Sequence, residues 1–206
     1  MLPIKHCEEI KLSEHFCAIL ALARIVNSIR FVLRAAIDSK DRDTPEASRQ
    51  RINSFLYLGA LLYEGIQAVK GEINKVLRHY SSFRQNFVPL FRDKEIESLC
   101  SFVLGPLRKK IVFHFDMNTI SETLKNVDLR ELTFAKSHSQ GAGDVVYILA
   151  DVIVVNYLLN LTSNQDSKKI EDLIEKVVSF AEKFCNAADE VISEVLNDFG
   201  VKIEFC

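Results

Sequence analysis

Residues 167–199, SKKIEDLIEKVVSFAEKFCNAADEVISEVLNDF, form the stretch that decides the fold class. Apolar residues recur there every three or four positions, which is the spacing of one face of an α-helix. Gly200 follows directly, and glycine is common just beyond a helix C-terminus. We predict one long helix whose apolar stripe faces a core. The stripe comprises Ile170, Leu173, Ile174, Val177, Ala181, Phe184, Ala188, Val191, Val195 and Leu196.

The composition of the whole chain agrees with an all-helical protein. Glycine and proline number 7 and 4 among 206 residues, and no fixed repeat or obvious linker divides the chain. A chain of this length can bury a substantial apolar core without a metal or disulfides. We therefore predict a single all-α domain over residues 1–206, a bundle of about six to eight helices.

Charge and cysteine usage limit the classes of partner. The net charge of -2 gives no global attraction to nucleic acid or to an anionic membrane, so any polyanion site must be local. The five cysteines are odd in number, scattered and never in a C-x-x-C pair, which indicates neither a disulfide framework nor a zinc site. We expect reduced thiols, a cytoplasmic location, and no metal or cofactor.

One apolar segment imitates a membrane span. Residues 145–161 are strongly apolar, but Asp151, Asn156 and Asn160 interrupt them. The N-terminus also lacks the uninterrupted apolar region of a secretory signal. We interpret the segment as a buried core helix of a protein that does not associate with membranes.

The first two helices can be delimited from local residues. A helix is predicted over residues 14–38, with an apolar stripe, and Thr44 followed by Pro45 is typical of the N-cap and first position of a second helix. This second helix is predicted to bend at Gly71 and to continue towards residue 80. The stripe of the first helix comprises Phe16, Ile19, Leu20, Ala23, Val26, Phe31, Leu33 and Ile37.

Prolines mark the predicted boundaries that follow. Residues 81–92 are predicted to be a connector, because Pro89 cannot donate a backbone hydrogen bond inside a helix. Asp93 can cap a short helix that runs through Leu104. Gly105 and Pro106 then end that helix and start the next one.

The remaining boundaries are a capping box and a loop. Thr119 and Glu122 have the spacing of a capping box, so a new helix is expected to begin there. Residues 126–143 are the least regular part of the chain and are predicted to be a mobile loop.

The stretch LRKKIVFHFD, residues 107–116, contains the candidate site. Arg108 and His114 lie about 9 Å apart along an ideal helix and roughly 120° apart around it. One chain therefore does not stack the two groups, but a two-fold partner could bring both pairs into one cleft. The alternative is that His114 is a satisfied core or boundary histidine and Arg108 a solvated residue of a first helical turn.

The sequence of residues 107–116 resembles the R-x(4-6)-H signature of HEPN proteins (higher eukaryotes and prokaryotes nucleotide-binding domain). Arg108 and His114 match the signature, whereas Lys109 stands where the family often has Asn, Asp or His. The resemblance implies a HEPN-like helical bundle. It also implies a metal-independent endoribonuclease of the toxin or phage-defence type that acts at a homodimer interface. RNA is then the substrate, and an antitoxin or defence protein is a further partner.

The residue chemistry is compatible with RNA cleavage. Histidine titrates near neutral pH, so His114 can act as acid or base, and Arg108 can bind phosphate through its planar guanidinium. We expect Arg108 in the first turn of its helix, where the dipole favours an anion, and His114 in the last turn. Lys109 and Lys110 are candidates for phosphate binding or for a solvated basic rim. Asp116 is a candidate accessory residue that orients His114.

A second hypothesis is a non-catalytic helical interaction or dimerisation module with a degenerate HEPN-like site. In that case the helices at 144–161 and 167–199 serve a partner or self-association. His15 and His79 lack the sequence context of a metal site. Glu64 interrupts an apolar stretch, and we expect it to form a structural pair.

Overall fold

The computed structural model of the chain describes residues 13–39, 43–112, 116–125, 148–161 and 167–201. If consecutive helical pieces are counted as one, these ranges contain seven helices and no strand. The prediction of an all-α helical bundle is therefore confirmed. We number the helices α1 to α7 in chain order.

The first two helices begin where the sequence predicted. α1 spans Glu14–Asp38, and α2 starts with Pro45–Ala68. The side chain of Thr44 accepts a hydrogen bond from the backbone N–H of Ala47 at 3.2 Å, which confirms the predicted N-cap. The start of α2 is a local feature, since its cap lies within one turn of the helix end.

The predicted bend of α2 is also confirmed. α2 continues through a π-helical turn, Val69–Ile73, and ends with Asn74–Leu77. Gly71, inside that turn, has φ -88° and ψ -111°, which is not a helical conformation. The bend therefore lies at the glycine.

The buried face of α1 differs from the predicted stripe. Ile19 and Val26 are buried as expected, and Leu22 and Ile29 are buried with them. Apolar residues occur on more than one face of α1, so spacing alone could not select the face that packs. The predicted stripe residues that are exposed in the structure are Leu20, Phe31 and Ile37.

A helix, α3, occupies Ser81–Arg92, where the sequence predicted a connector. The carboxylate of Glu194, from α7, accepts the backbone N–H groups of Ser81 at 3.1 Å and Ser82 at 2.7 Å. Pro89 is exposed near the end of α3, where its missing N–H removes one hydrogen bond of the helix. The prediction was wrong because the cap that starts α3 lies 113 positions away from Ser81.

The helix α4 continues through Gly105 and Pro106, so the predicted break there is wrong. Asp93 caps its start as predicted, with its carboxylate accepting the N–H of Glu95 at 2.8 Å. The Gly105 N–H donates to the carbonyl of Cys100, five residues earlier, and this wider turn carries the backbone past the proline. The consecutive pieces of α4 are Lys94–Leu99, the π-helical turn Cys100–Leu104, Gly105–Leu107 and the π-helical turn Arg108–Val112.

The helix α5 spans Met117–Leu124 and begins earlier than predicted. Its N-cap is Asp116, whose carboxylate accepts the N–H groups of Asn118 at 3.3 Å and Thr119 at 3.2 Å. The predicted capping box at Thr119 is therefore wrong. The Thr119 hydroxyl donates to Asp116 instead of capping the helix itself.

The last two helices are α6, Ile148–Leu161, and α7, Ser167–Asp198. Gly200 has φ 66°, and the N–H of Val201 donates to the carbonyl of Leu196 at 2.9 Å. This pattern is a Schellman motif, which confirms the predicted end of α7. The loop predicted at 126–143 lies outside the described residues.

The helix α6 is partly buried. Tyr157 and Leu158 are buried and Asn160 is exposed. Among the described helices, α1 is the one that is long and apolar enough to cross a membrane by length and composition. A single such helix is weak evidence of a membrane span, because core helices of soluble proteins meet the same criteria.

Phenylalanines from α3 and α7 form the centre of the core. The rings of Phe87 and Phe184 lie 5.5 Å apart in an edge-to-face arrangement. A Cβ added at Gly65 of α2 would lie 3.1 Å from Phe184 and 3.0 Å from Ile25 of α1. This glycine therefore allows α1, α2 and α7 to pack closely, and the other side of α2 remains available to α4.

Candidate functional site

Two glycines set the distance between α2 and α4. A Cβ added at Gly59 of α2 would lie 3.2 Å from the side chain of Leu104. A Cβ added at Gly105 of α4 would lie 3.1 Å from the ring of Tyr63. Close packing at these two points places the next turn of α4 against the exposed side of α2.

Arg108 lies in that next turn and pairs with Glu64 of α2. Its Nε atom is 2.6 Å from Oε1 of Glu64, and the two side chains are 30% and 48% exposed. The structural pairing expected for Glu64 is therefore present, although this carboxylate is half exposed. The guanidinium of Arg108 is held at the surface of the bundle, where solvent reaches it in part.

The position of Arg108 within its helix differs from the predicted one. Because α4 does not restart at Gly105, Arg108 lies near the C-terminal end of a long helix and not in a first turn. The helix dipole at a C-terminus favours cations and gives no attraction to phosphate. The predicted contribution of a helix N-terminus to anion binding at Arg108 is therefore wrong.

The two lysines that follow Arg108 are both exposed. Lys109 and Lys110 occupy the last turn of α4. The carbonyl of Lys110 accepts the backbone N–H of Asp116 at 2.9 Å, which joins the end of α4 to the start of α5. Three basic side chains thus occupy one end of α4.

Asp116 has a structural task that the sequence did not predict. A hydrogen bond of 2.5 Å from the Thr119 hydroxyl lowers the pKa of the Asp116 carboxyl, and the nearby charge of Lys110 acts in the same direction. The carboxylate is thus ionised and caps α5. Its role as an accessory to His114 stays a prediction.

His114 belongs to residues 113–115, which lie outside the described residues. The structure brings Arg108, the two lysines and Asp116 to the junction of α4 and α5. The pairing of Arg108 with His114 stays a prediction.

A second polar cluster joins α1, the turn between α2 and α3, and α7. Nδ1 of His15 lies 3.1 Å from the hydroxyl oxygen of Tyr80, and the ring of His79 is centred 5.0 Å from that of His15. Burial raises the pKa of Tyr80, as do the carboxylates of Asp198 and Glu194. In the described part of the chain, no three His, Cys, Asp or Glu side chains form a metal-binding group.

A cavity of about 680 Å³ lies between α1, α2, α6 and α7. This volume is within the range of small-molecule sites, and the walls are mostly apolar. The charged residues in its described lining are Arg51 and Glu182. Arg51 donates to the carbonyl of Ser39 at 2.7 Å and to the hydroxyl of Ser48 at 2.9 Å. These hydrogen bonds stabilise the wall of the cavity.

Comparison of the chain with protein-family models, with curated proteins and with solved structures finds no match. The candidate site is therefore defined by the sequence motif and by the geometry at the end of α4. Its members are Arg108 with its partner Glu64, the exposed Lys109 and Lys110, and His114 from the motif.

Proposed function

We propose that the chain is a HEPN-like, metal-independent endoribonuclease that acts as a homodimer in a cytoplasmic toxin or phage-defence system. The observation that supports this proposal is the partly exposed Arg108, held by Glu64 beside two exposed lysines in an R-x5-H stretch. Cations clustered at one end of the bundle can bind RNA phosphates locally, although the net charge of the chain is -2.

The proposed reaction is an internal transfer at phosphorus. The ribose 2′-oxygen attacks the adjacent phosphorus, and the bond to the 5′-oxygen of the next nucleotide breaks. His114 of one copy takes the proton of the 2′-hydroxyl, and the second copy's histidine protonates the departing 5′-oxygen. Arg108 stabilises the negative charge that develops on the phosphoryl oxygens. The products carry a 2′,3′-cyclic phosphate and a 5′-hydroxyl.

Glu64 has a positioning task in this proposal. Its carboxylate contacts Nε of Arg108, and the close approach of α2 and α4 at the two glycines fixes where the pair lies. A guanidinium held in one orientation loses less conformational entropy when it binds a phosphate. Glu64 thus acts through Arg108 and does not contact the substrate.

The test is RNA cleavage in the presence of a chelator. Purified protein is incubated with mixed RNA and EDTA, beside the variants His114→Ala and Arg108→Ala. We expect cleavage by the wild type, loss of cleavage in both variants, and cyclic phosphate at the 3′ ends of the products. Arg84→Ala, at an exposed arginine of α3, is the matched control and should cleave normally.

Three outcomes contradict the proposal. They are no cleavage by the wild type in EDTA, cleavage by both site variants at the wild-type level, and products with 3′-hydroxyl ends. Thermal melting of each variant separates loss of chemistry from loss of fold, and Arg108→Lys shows whether a planar guanidinium is needed or charge alone suffices.

The second candidate function is a non-catalytic interaction module that binds a partner such as an antitoxin or defence protein. It is favoured by the structural tasks of Arg108, which pairs with Glu64, and of Asp116, which caps α5. Under this function Arg108→Ala changes stability or partner binding, and the wild type does not cleave RNA. The same cleavage assay therefore separates the two functions.

A further inference from the structure

The apolar cavity between α1, α2, α6 and α7 takes no part in the proposed RNA cleavage. Its volume is about 680 Å³, and Arg108 is not among the residues of its described lining. An apolar cavity of about 150 Å³ is large enough for benzene, so this one can hold a molecule several times larger. The cavity is therefore a candidate binding site in its own right, apart from the end of α4.

The cavity extends along two helices. On α7 its lining residues run from Ile170 to Glu182, which is about 18 Å of helix. On α2 they run from Ser48 to Leu58, which is about 15 Å. An extended alkyl chain suits this length better than a compact ring system. The apolar side chains of the lining include Leu33, Ile52, Phe55, Val155, Leu158 and Val178.

The two charged residues of the described lining lie at opposite ends of the cavity. A Cβ added at Gly65 would lie 3.1 Å from Phe184, so α2 and α7 approach each other there. Both helices line the cavity with residues that precede this approach. Glu182 is two positions before Phe184 and lies at the near end. Arg51 is fourteen positions before Gly65 and lies at the far end.

Hydrogen bonds hold Arg51 at its end of the cavity. The guanidinium donates to the carbonyl of Ser39 and to the hydroxyl of Ser48. A guanidinium carries five N–H groups and stays charged at neutral pH, so Arg51 can stabilise the wall and bind a carboxylate at the same time. Glu182, which is exposed, repels an anion at the other end. The charges of the described lining thus favour an anionic group at Arg51.

The Arg51 end of the cavity is accessible to solvent. Gln50 donates to the α1 carbonyl of Ala35 at 3.0 Å, so the C-terminal end of α1 lies beside the start of α2. Ile37, in this part of α1, lines the cavity and is 61% exposed. Ile174 of α7 also lines it and is 38% exposed. An apolar tail can therefore enter the cavity here while a charged head stays near water.

We propose that the cavity binds a free fatty acid, with the carboxylate at Arg51 and the alkyl chain directed towards Leu58 and Val178. This inference goes beyond RNA cleavage and does not depend on it. Burial of the alkyl chain supplies most of the affinity, since each methylene group removed from water strengthens binding by about fourfold. The contact with Arg51 selects an anionic head over a neutral one.

The first test is calorimetric titration of the delipidated full chain with octanoate, decanoate and dodecanoate at neutral pH. We expect the affinity to rise by about fourfold for each added methylene group. Ile37→Glu places a second carboxylate at the mouth and should weaken dodecanoate binding by about tenfold or more. Leu20→Glu is the matched control, because Leu20 is also on α1, is 53% exposed and is not in the described lining. It should bind like the wild type.

Three results of this titration overturn the proposal. They are no binding of dodecanoate below its micelle concentration, an affinity that does not change with chain length, and equal binding by Ile37→Glu and Leu20→Glu. Both substitutions are at exposed positions, so we expect the ligand-free variants to melt at the wild-type temperature.

The second test identifies the group that binds the head and does not depend on Ile37→Glu. Arg51→Gln should weaken dodecanoate binding by about tenfold or more, because a charged hydrogen bond is lost. Binding of dodecanol, which has the same tail and a neutral head, should stay nearly unchanged. Equal weakening of both ligands would indicate damage to the wall and would overturn the placement of the carboxylate at Arg51.

Further outcomes separate a free fatty acid from a membrane and from the nuclease. Co-sedimentation with phosphatidylglycerol vesicles that Ile37→Glu abolishes, without any binding of dodecanoate, assigns this surface to a membrane and overturns the proposal. A protein that binds dodecanoate but leaves RNA intact supports the fatty-acid site and counts against the nuclease. A protein that cleaves RNA but does not bind dodecanoate does the reverse.

Discussion

Glu194 is the single residue on which the start of α3 depends. Its carboxylate accepts hydrogen bonds from the backbone and hydroxyl groups of both Ser81 and Ser82. Although burial acts in the opposite direction, these bonds lower the pKa of Glu194 from 4.5 to about 2. A carboxylate from another helix thus acts as the N-cap of α3.

The variant Glu194→Ala measures this contribution. We expect it to lower the free energy of unfolding at neutral pH by roughly 1–2 kcal/mol, because two N–H groups at the start of α3 lose their acceptor. The contribution is fully present above the unfolded pKa of 4.5 and is lost as the pH falls through about 2. The difference from wild type in urea unfolding should therefore shrink in acid.

Glu190→Ala provides the control, since Glu190 is exposed one turn away on α7. It should change stability little at any pH. A loss in Glu194→Ala that stays constant from neutral pH to acid would contradict the assigned cap.

Arg108 and Glu64 allow a second measurement at the residue scale. Both side chains are partly exposed, so a double-mutant cycle with Glu64→Gln and Arg108→Gln should give a coupling of about 0.2–1 kcal/mol, weaker at high salt. Urea unfolding of the four proteins gives the coupling. A coupling above about 3 kcal/mol would instead indicate a buried structural pair and favour the interaction module.

At the scale of the helix, the end of α7 gives a prediction about backbone conformation. Gly200 has φ 66°, and a Cβ there would meet nothing within 4 Å, so any cost of substitution comes from the backbone. We expect Gly200→Ala to destabilise the protein by about 1 kcal/mol and Gly200→Asn by less, since asparagine tolerates the left-handed region. Equal thermal melting of the two variants would contradict this explanation.

Helix ends were predictable where the deciding group is local. Thr44, Asp93 and Gly200 each act within one turn of the end that they define, and all three assignments are confirmed. α3 was missed because its cap comes from α7. The break at Gly105 was wrongly predicted because a π-helical turn, which no short motif signals, accommodates the proline.

The residues of the candidate site were also predictable only where the deciding contacts are local. The motif located Arg108 and the lysines, since they are adjacent in sequence. The motif could not identify Glu64 as the partner, because that contact depends on how two glycines let α2 approach α4. The cluster of His15, His79 and Tyr80 was missed for the same reason, since tertiary packing assembles it.

At the scale of the molecule, α2 is the helix that connects the others. One side of α2 packs at Gly65 against α1 and α7, and another side packs at Gly59 against α4. The phenylalanines of α3 and α7 close the core next to it. This arrangement leads us to expect that the chain unfolds as one cooperative unit, in agreement with the predicted single domain.

Phe184 is the residue that tests this expectation, because it is fully buried and its ring contacts Phe87 of α3 and approaches Gly65 of α2. We expect Phe184→Ala to lower the free energy of unfolding by about 3–5 kcal/mol, and Phe184→Leu by less. Since a chain without tryptophan reports through its tyrosines, circular dichroism and tyrosine fluorescence should shift together in one transition. Phe102→Ala, at an exposed position, should leave both signals unchanged. Two separate transitions in any of these proteins would show that the helices form more than one folding unit.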